Sequence, residues 1–376
     1  MDLAFLRPLY DQFGDYVSVY TNTDRIRQDA REAIGLRWRN AREQLTGAGA
    51  SQATLDAIAE VLTDPDEASA GRAVFARDGA VVFSGALDAP PRREIARLAP
   101  LPHVMPLLAQ HRPAVPHVRV SATKAGGEIV AIGGTGEGWR DWVAGRAWPV
   151  HKTSVGGWSQ DKYQRSVEEA WAENAKALAA EVIEAARRVS AQHVIVSGDV
   201  RARTLLMGDL PKALQESAAV LEEEVTADSQ AMAEAADLAL SGWEDTLVRQ
   251  RFDDWQAQLA HGRGAQGLAQ TLAAFEEGQV SSLFVVDDPS STATVWVGPG
   301  GADVAATQEE FSERLTGQPV ADRADSAIVR AAATNDAELY FLPADLARRG
   351  DPAACGGIAM PLDGVCATFR FSLQSS

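Results

Sequence analysis

The sequence predicts a mixed α/β (α+β) protein of three successive domains, with mixed sheets packed against helices. Short runs rich in Val, Ile, Phe and Tyr alternate with longer stretches of helical period, as expected for sheets covered by helices. Tyr163, Val167, Trp171, Leu178, Val182, Ala185 and Val189 fall at steps of three, four or seven and place one apolar stripe on a long helix. A proline-rich crossing and an acidic stretch break the 376 residues into pieces of ordinary size, roughly 100–200 residues per domain. The expected domains are therefore 1–116, 117–260 and 261–376.

In the first piece, residues 16–20 read as a strand. Thr21 and Asn22 supply turn and cap chemistry for an Arg-rich helix over 24–45, which Gly47-Ala48-Gly49 ends. A second helix covers 51–62, and the apolar runs 73–76 and 80–83 flank Asp78-Gly79 as a hairpin. In the second piece, 118–120 and 128–132 pair around Gly126-Gly127, and 133–160 read as loops and short strands. The long helix starts at Asp161 behind a cap at Ser159 or Gln160. A short buried strand at 193–196 turns at Ser197-Gly198-Asp199 into another helix, and 211–260 read as an acidic helical connector. The third piece holds two helix–strand pairs, 267–277 with 282–286 and 325–333 with 337–342, and a last strand at 365–371.

Hydrophobic residues make up 46% of the chain and charged residues 23%, an ordinary globular balance. No apolar run approaches the roughly 18 residues that span a bilayer. The first residues lack the apolar stretch of a secretory signal, so a cytoplasmic protein with no membrane partner is expected. Cys355 and Cys366 alone make no disulfide scaffold and fit a reducing compartment. The net charge of −17 argues against wrapping nucleic acid with the whole surface, and no DNA partner is expected. The positive charges are nevertheless clustered. Residues 140–165 hold five basic against two acidic residues. Residues 24–43 hold six arginines (Arg25, Arg27, Arg31, Arg37, Arg39, Arg42) against four acids, whereas 216–250 hold nine acids against Arg249. Such a chain touches phosphate at chosen points.

The six histidines are scattered, with no spacing that a metal site requires, and the two cysteines have no matching pair. There is no phosphate-binding P-loop and no Gly-x-Ser-x-Gly elbow, and Gly133-Gly134-Thr135-Gly136 lacks the dinucleotide spacing. No metal and no cofactor is expected. One segment carries recognisable chemistry: His151, Lys152, Gly156, Gly157, Trp158, Ser159, Gln160, Lys162 and Arg165. Adjacent glycines allow close approach, the basic residues meet phosphate, Trp158 offers a stacking face, and the following helix start favours anions. A surface turn with its tryptophan tucked back into the sheet remains the alternative. The arginines of 24–43 form a second candidate RNA contact.

In order and spacing, these segments resemble the archaeo-eukaryotic peptide-chain release factor and Pelota family. There a basic Gly-Gly-Gln loop precedes a long helix and an apolar strand ending in Ser-Gly or Ala-Gly. Here Lys152 to Gln160, the helix after Asp161, and Val194-Ile195-Val196-Ser197-Gly198-Asp199 follow that order. Thr271-Leu272 and Glu276-Glu277-Gly278 before a strand, and Gly356-Gly357-Ile358 before Ala367–Phe371, are similar to its last domain. Among bacterial members the chain is most similar to the branch containing the hibernation factor Balon. The resemblance implies a three-domain release-factor-like architecture, a ribosomal A site and rRNA as partners, and elongation factor Tu or another translational GTPase. Release chemistry needs glutamine directly after the glycine pair, but Trp158 stands there. No stop-codon signature Asn-Ile-Lys-Ser occurs in 1–116. The expectation is a non-enzymatic factor that occupies the A site, as in ribosome hibernation under stress. The alternative is a peptidyl-tRNA hydrolysing release or rescue factor using Gln160 or His151.

Overall fold

The computed structural model describes residues 1–25, 30–64, 69–110, 115–134, 137–144, 157–288, 291–342 and 362–370, with the side chains of 157–164 outside the description. Contacts group the chain into two compact units, Met1–Arg112 with Leu247–Ser376, and Pro113–Thr246. The segments expected as first and third domains thus lie in one unit.

The first segment contributes β1 (Tyr16–Asn22), α1 (Ala30–Gly47), α2 (Gln52–Thr63), β2 (Gly71–Arg77), β3 (Ala80–Leu87), β4 (Ile95–Ala99) and the short α3 (Met105–Leu108). Its antiparallel sheet runs β3-β2-β1-β4. Val17, Val19, Val74 and Ala76 bury one face under Trp38, Leu45, Leu55, Ile58 and Leu62 of α1 and α2. Ser51 caps α2 by accepting the Thr54 N–H at 3.2 Å. The helix expected from residue 24 is described from Ala30.

The middle unit contains β5 (His117–Thr123), β6 (Gly126–Ile132), β7 (Gly138–Ala144), α4 (Gly157–Arg188), β8 (His193–Gly198), α5 (Val200–Asp209), α6 (Lys212–Glu216), β9 (Ala218–Val220) and the first part of α7 (Gln230–Leu259). The sheet order is β7-β6-β5-β8-β9, antiparallel on the β7 side and parallel from β5 to β9. Leu178, Val182 and Ala185 of α4 and Leu206 of α5 cover Val118, Val120, Ile129, Ala131, Val194 and Val196. On the other face Ile195 meets Met232 and Ala236 of α7.

Two expectations need correction here. The long helix starts at Gly157 rather than Asp161, so Gly157 to Gln160 form its first turn and neither Ser159 nor Gln160 is a cap. An apolar stripe marks where a helix packs, not where it begins. Residues 211–260 are not one helix, because β9 pairs with β8. Leu221 N–H bonds Val196 O at 2.8 Å, while the Ser197 hydroxyl donates to Glu223 O and accepts the Val225 N–H, both at 2.8 Å. These tertiary partners outbid local helical preference in the acidic run.

The last segment adds β10 (Gly264–Gln266), α8 (Leu268–Glu276), β11 (Val280–Val285), β12 (Thr294–Val297), β13 (Val304–Ala305), α9 (Gln308–Arg314), β14 (Val320–Arg323), α10 (Ala324–Thr334), β15 (Glu338–Phe341) and β16 (Val365–Phe369). One sheet runs β10-β16-β11-β15, with the two expected helix–strand pairs placing β11 and β15 as parallel neighbours. A smaller sheet, β13-β12-β14, had no clear signal in the sequence. Tyr16, Tyr20 and Phe75 of the first sheet share one core with Leu272, Phe275, Leu283 and Ile328 of this segment. Arg97 pairs with Asp322, whose other oxygen accepts the Leu101 N–H at 2.8 Å.

Two predictions follow from this packing. A methyl on Gly127 would sit 2.6 Å from Leu178 Cδ2 and 2.6 Å from Ser121 O, so Gly127→Ala must push α4 off the sheet. The expected cost is about 1–3 kcal/mol, read from urea unfolding. His103, 4% exposed at the join of the first and last segments, has its imidazole pKa lowered from 6.5 to about 4 by burial. The folded state therefore takes up its proton later than the unfolded chain. Its contribution is complete above pH 6.5 and is lost as pH falls toward 4, by up to roughly 3 kcal/mol. His103→Gln should flatten that part of the stability–pH curve relative to the parent protein; parallel curves would remove His103 as the cause.

Candidate functional site

The candidate segment sits at the N-terminal end of α4. Gly157, Trp158, Ser159 and Gln160 take helical backbone in its first turn, and Lys162 follows in the second. His151, Lys152 and Gly156 lie outside the described residues, as do the side chains of Trp158, Ser159, Gln160 and Lys162. Arg165 is exposed. From Arg165 to Glu173 no residue is fully buried, and Asn174 is the first that is. At about 1.5 Å per residue, roughly 25 Å of helix separate Gly157 from Asn174. The apolar stripe thus splits: Leu178, Val182 and Ala185 are buried, Val167 and Trp171 only partly so, and Tyr163 falls outside the described side chains. The second half of α4 anchors the helix. The N-terminal end carries the amide groups that have no partner within the helix, and the positive pole of the helix dipole.

A collar of side chains holds the helix where packing stops. Asn174 Nδ2 donates to Lys124 O at 3.0 Å, fixing the β5–β6 turn against α4. The Trp171 ring lies under two cations, Lys124 Nζ at 4.8 Å and the Arg201 guanidinium at 5.5 Å. Arg201 pairs with Glu168 at 2.8 Å, and Lys124 with Asp199 at 3.2 Å. Asp199 also caps α5, accepting the N–H groups of Arg201 and Ala202 at 3.0 and 3.1 Å. The Ala202 amide above all, and then Lys124, hold the Asp199 carboxyl below the usual range. Sequence reasoning singled out neither Lys124 nor Arg201, because a lysine in a strand turn and an arginine in a helix carry no motif.

The structure sorts the basic residues into tied and exposed. Arg140 pairs with buried Glu128 and with Asp228 at 2.5 Å, so it belongs to the sheet edge and not to the phosphate patch. In the first segment Arg25 donates to Asp64 O, Arg37 to Asn22 O at 3.2 Å, and Arg42 pairs with Asp56 at 2.6 Å. Arg31 and Arg39 are exposed, and Arg27 lies outside the described residues. Among the described arginines of this group, Arg31 and Arg39 are the exposed ones, and Arg39 Nε donates to Gly35 O at 3.4 Å. Trp142, on edge strand β7, is 58% exposed and was not anticipated. Among the described residues no three His, Cys, Asp or Glu side chains are placed to share a metal ion.

Residues 116–265 match the sequence model of bacterial archaeo-eukaryotic release factor family 2. An uncharacterised protein of Mycobacterium tuberculosis, found in two strains, is 31% identical over 382 residues, covering 98% of this chain and 96% of the relative. Among solved structures, the chain is similar to the archaeal translation termination factor aRF1 (16% identity, 98% and 97% of the two chains, TM-score 0.25). It is also similar to ribosome-bound archaeal Pelota (12%, 99% and 95%, TM-score 0.39) and to Archaeoglobus fulgidus Pelota (12%, 81% and 80%, TM-score 0.34). The match over 116–265 spans the middle sheet, α4 with its collar, and the Ser197-Gly198 turn, and the mycobacterial relative extends the likeness over nearly the whole chain. The chain belongs to the bacterial archaeo-eukaryotic release factor family.

Proposed function

We propose that this protein is a ribosome-associated translation factor that occupies the A site without releasing peptide, in the manner of a hibernation factor. The observation that carries the reading is Trp158. In a release factor of this family the residue after the glycine pair is the glutamine that helps position water, and an indole in its place removes that group. The arrangement around it suits a binding end: a helix anchored by Leu178 and Val182, extended past its collar, and led by amides that favour the phosphates of rRNA. The basic residues Lys152, Lys162 and Arg165 add charge to that end in an otherwise acidic protein. Within this reading the last segment docks elongation factor Tu or another translational GTPase, as the family's last domain does.

Three measurements test it. The protein should co-sediment with ribosomes, and replacing Lys152, Lys162 and Arg165 together with Ala should flatten the salt dependence of binding. If about three phosphates are neutralised, the slope of log affinity against log salt should change from near −2 to −3 toward zero. An unchanged slope would place the phosphate contacts elsewhere. Trp158→Ala should weaken ribosome binding by about 1–3 kcal/mol at fixed salt, the cost of losing a stacking ring. The melting temperature should stay the same, because a buried tryptophan would instead cost about 3–5 kcal/mol of stability. Ribosomes carrying labelled peptidyl-tRNA should keep their peptide in the presence of the parent protein; release on its addition would favour the hydrolase. Trp158→Gln restores Gly-Gly-Gln, and release by that variant alone would identify a scaffold disarmed at one position.

A further inference from the structure

The strand β7 is the outer strand of the middle sheet, and among the described residues no strand pairs with its other side. Its register with β6 sets which main-chain groups face outward. Ile129 lies opposite Asp141 and Ala131 opposite Trp139, and at the hairpin end of the same register the Gly133 N–H donates to Glu137 O at 2.9 Å. Antiparallel pairs that exchange hydrogen bonds recur at every second residue. Trp139, Asp141 and Val143 therefore bond β6, while Gly138, Arg140, Trp142 and Ala144 turn their N–H and C=O groups outward. An open edge of this length invites another strand. One of its N–H groups is engaged locally: that of Trp142 donates to the Asp141 carboxylate at 2.8 Å. Trp139 and Val143 pack on the α4 side, so the Trp142 ring, more than half exposed, stands beside the edge on the opposite face.

Charge selects the occupant. The described side chains on and beside β7 bring four carboxylates (Glu128, Glu137, Asp141, Asp228) against the guanidiniums of Arg140 and Arg188. Arg140 is taken up by Glu128 and Asp228, and Arg188 lies over the Trp139 ring at 4.4 Å. RNA phosphate is repelled from such an edge. A second copy of this chain fits poorly as well. Antiparallel self-pairing over the whole strand sets Gly138 opposite Ala144 and Arg140 opposite Trp142, and it places Asp141 directly opposite its own counterpart. Like charges facing each other across a ladder are destabilising. We propose that the β7 edge takes an extended, lysine-bearing segment of another protein as an added strand. The Asp141 carboxylate turns from the Trp142 N–H to the incoming ammonium, and that N–H joins the new ladder. The residue next to the lysine faces the other side of the sheet, where an apolar side chain lies on the Trp142 ring. Main-chain bonds supply affinity, and the lysine and apolar positions supply selectivity. This docking is independent of what the end of α4 contacts.

The test uses the full-length protein without ribosomes and short fluorescent peptides at fixed salt. One peptide alternates lysine and valine, and one alternates glutamate and valine. A third is the lysine peptide N-methylated throughout, which keeps the charge but cannot pair as a strand. Fluorescence anisotropy should show saturable binding of the unmethylated lysine peptide alone. At saturation, amide hydrogen exchange over residues 138–144 should slow by roughly tenfold or more. Asp141→Lys should weaken binding by roughly tenfold or more. Ala144→Pro should also weaken it, because it removes an outward N–H and no bond to β6. Both positions are exposed, so the melting temperature of each variant should match the parent. Equal binding of the N-methylated peptide reduces the contact to charge and overturns the proposal. So does binding of the glutamate peptide, unchanged exchange over 138–144, or undiminished binding by both variants. Concentration-dependent dimers of the parent protein that Ala144→Pro abolishes also overturn it, and assign the edge to a second copy.

Discussion

Leu178 of α4 lies so close to β6 that a single methyl on Gly127 would come within 2.6 Å of it. That close approach lets Leu178, Val182 and Ala185 bury themselves on Val118, Val120, Ile129 and Ala131. Everything proposed for the end of α4 depends on it. A helix of 32 residues is about 48 Å long, and among its described side chains the fully buried ones lie from Asn174 onward. The β5–β8 pairing is equally tight: Gly198, with φ of +110°, would place a methyl 2.0 Å from Ala122 O. The Ser-Gly step that ends β8 is therefore a packing requirement in this sheet, independent of any chemistry at the far end.

The acidic balance of the chain shapes how its arginines are used. Arg97 serves Asp322, and Arg323 serves Asp325. Arg330, 2% exposed, donates to Gly298 O at 2.8 Å and Asp303 O at 3.1 Å. Arg140 closes onto Glu128 and Asp228. Guanidinium protons taken up by acceptors within the fold are withdrawn from phosphate, in the buried Arg330 as in the exposed Arg140.

Much of the secondary structure was legible in the chain because local chemistry dictated it. The hairpin at Asp78-Gly79 and the Asp199 turn into α5 are fixed by the torsions and hydrogen bonds of a few adjacent residues. The sheet β13-β12-β14 and strand β9 were not legible. Thr294–Val297, Val304–Ala305 and Ala218–Val220 are too short to carry a period, and they exist because a distant neighbour supplies their hydrogen bonds. The first turn of α4 was missed because Gly157-Trp158-Ser159-Gln160 carry no apolar rhythm in the sequence.

At the site itself the sequence alone determined the chemical identity of the end of α4: a glycine pair, basic neighbours, and tryptophan where release needs glutamine. Order along the chain preserves such a signature because it is covalent. Only the tertiary structure decided that Lys124, Trp171, Asp199 and Arg201 form a collar, that Arg140 is spent within the sheet, and that Asp322 and Asp325 reach Arg97 and His103. Arg97 and Asp322 are separated by 225 positions, and no local pattern encodes such a contact. Burial and charge pairing at that range follow from which faces pack, a property of the folded chain as a whole.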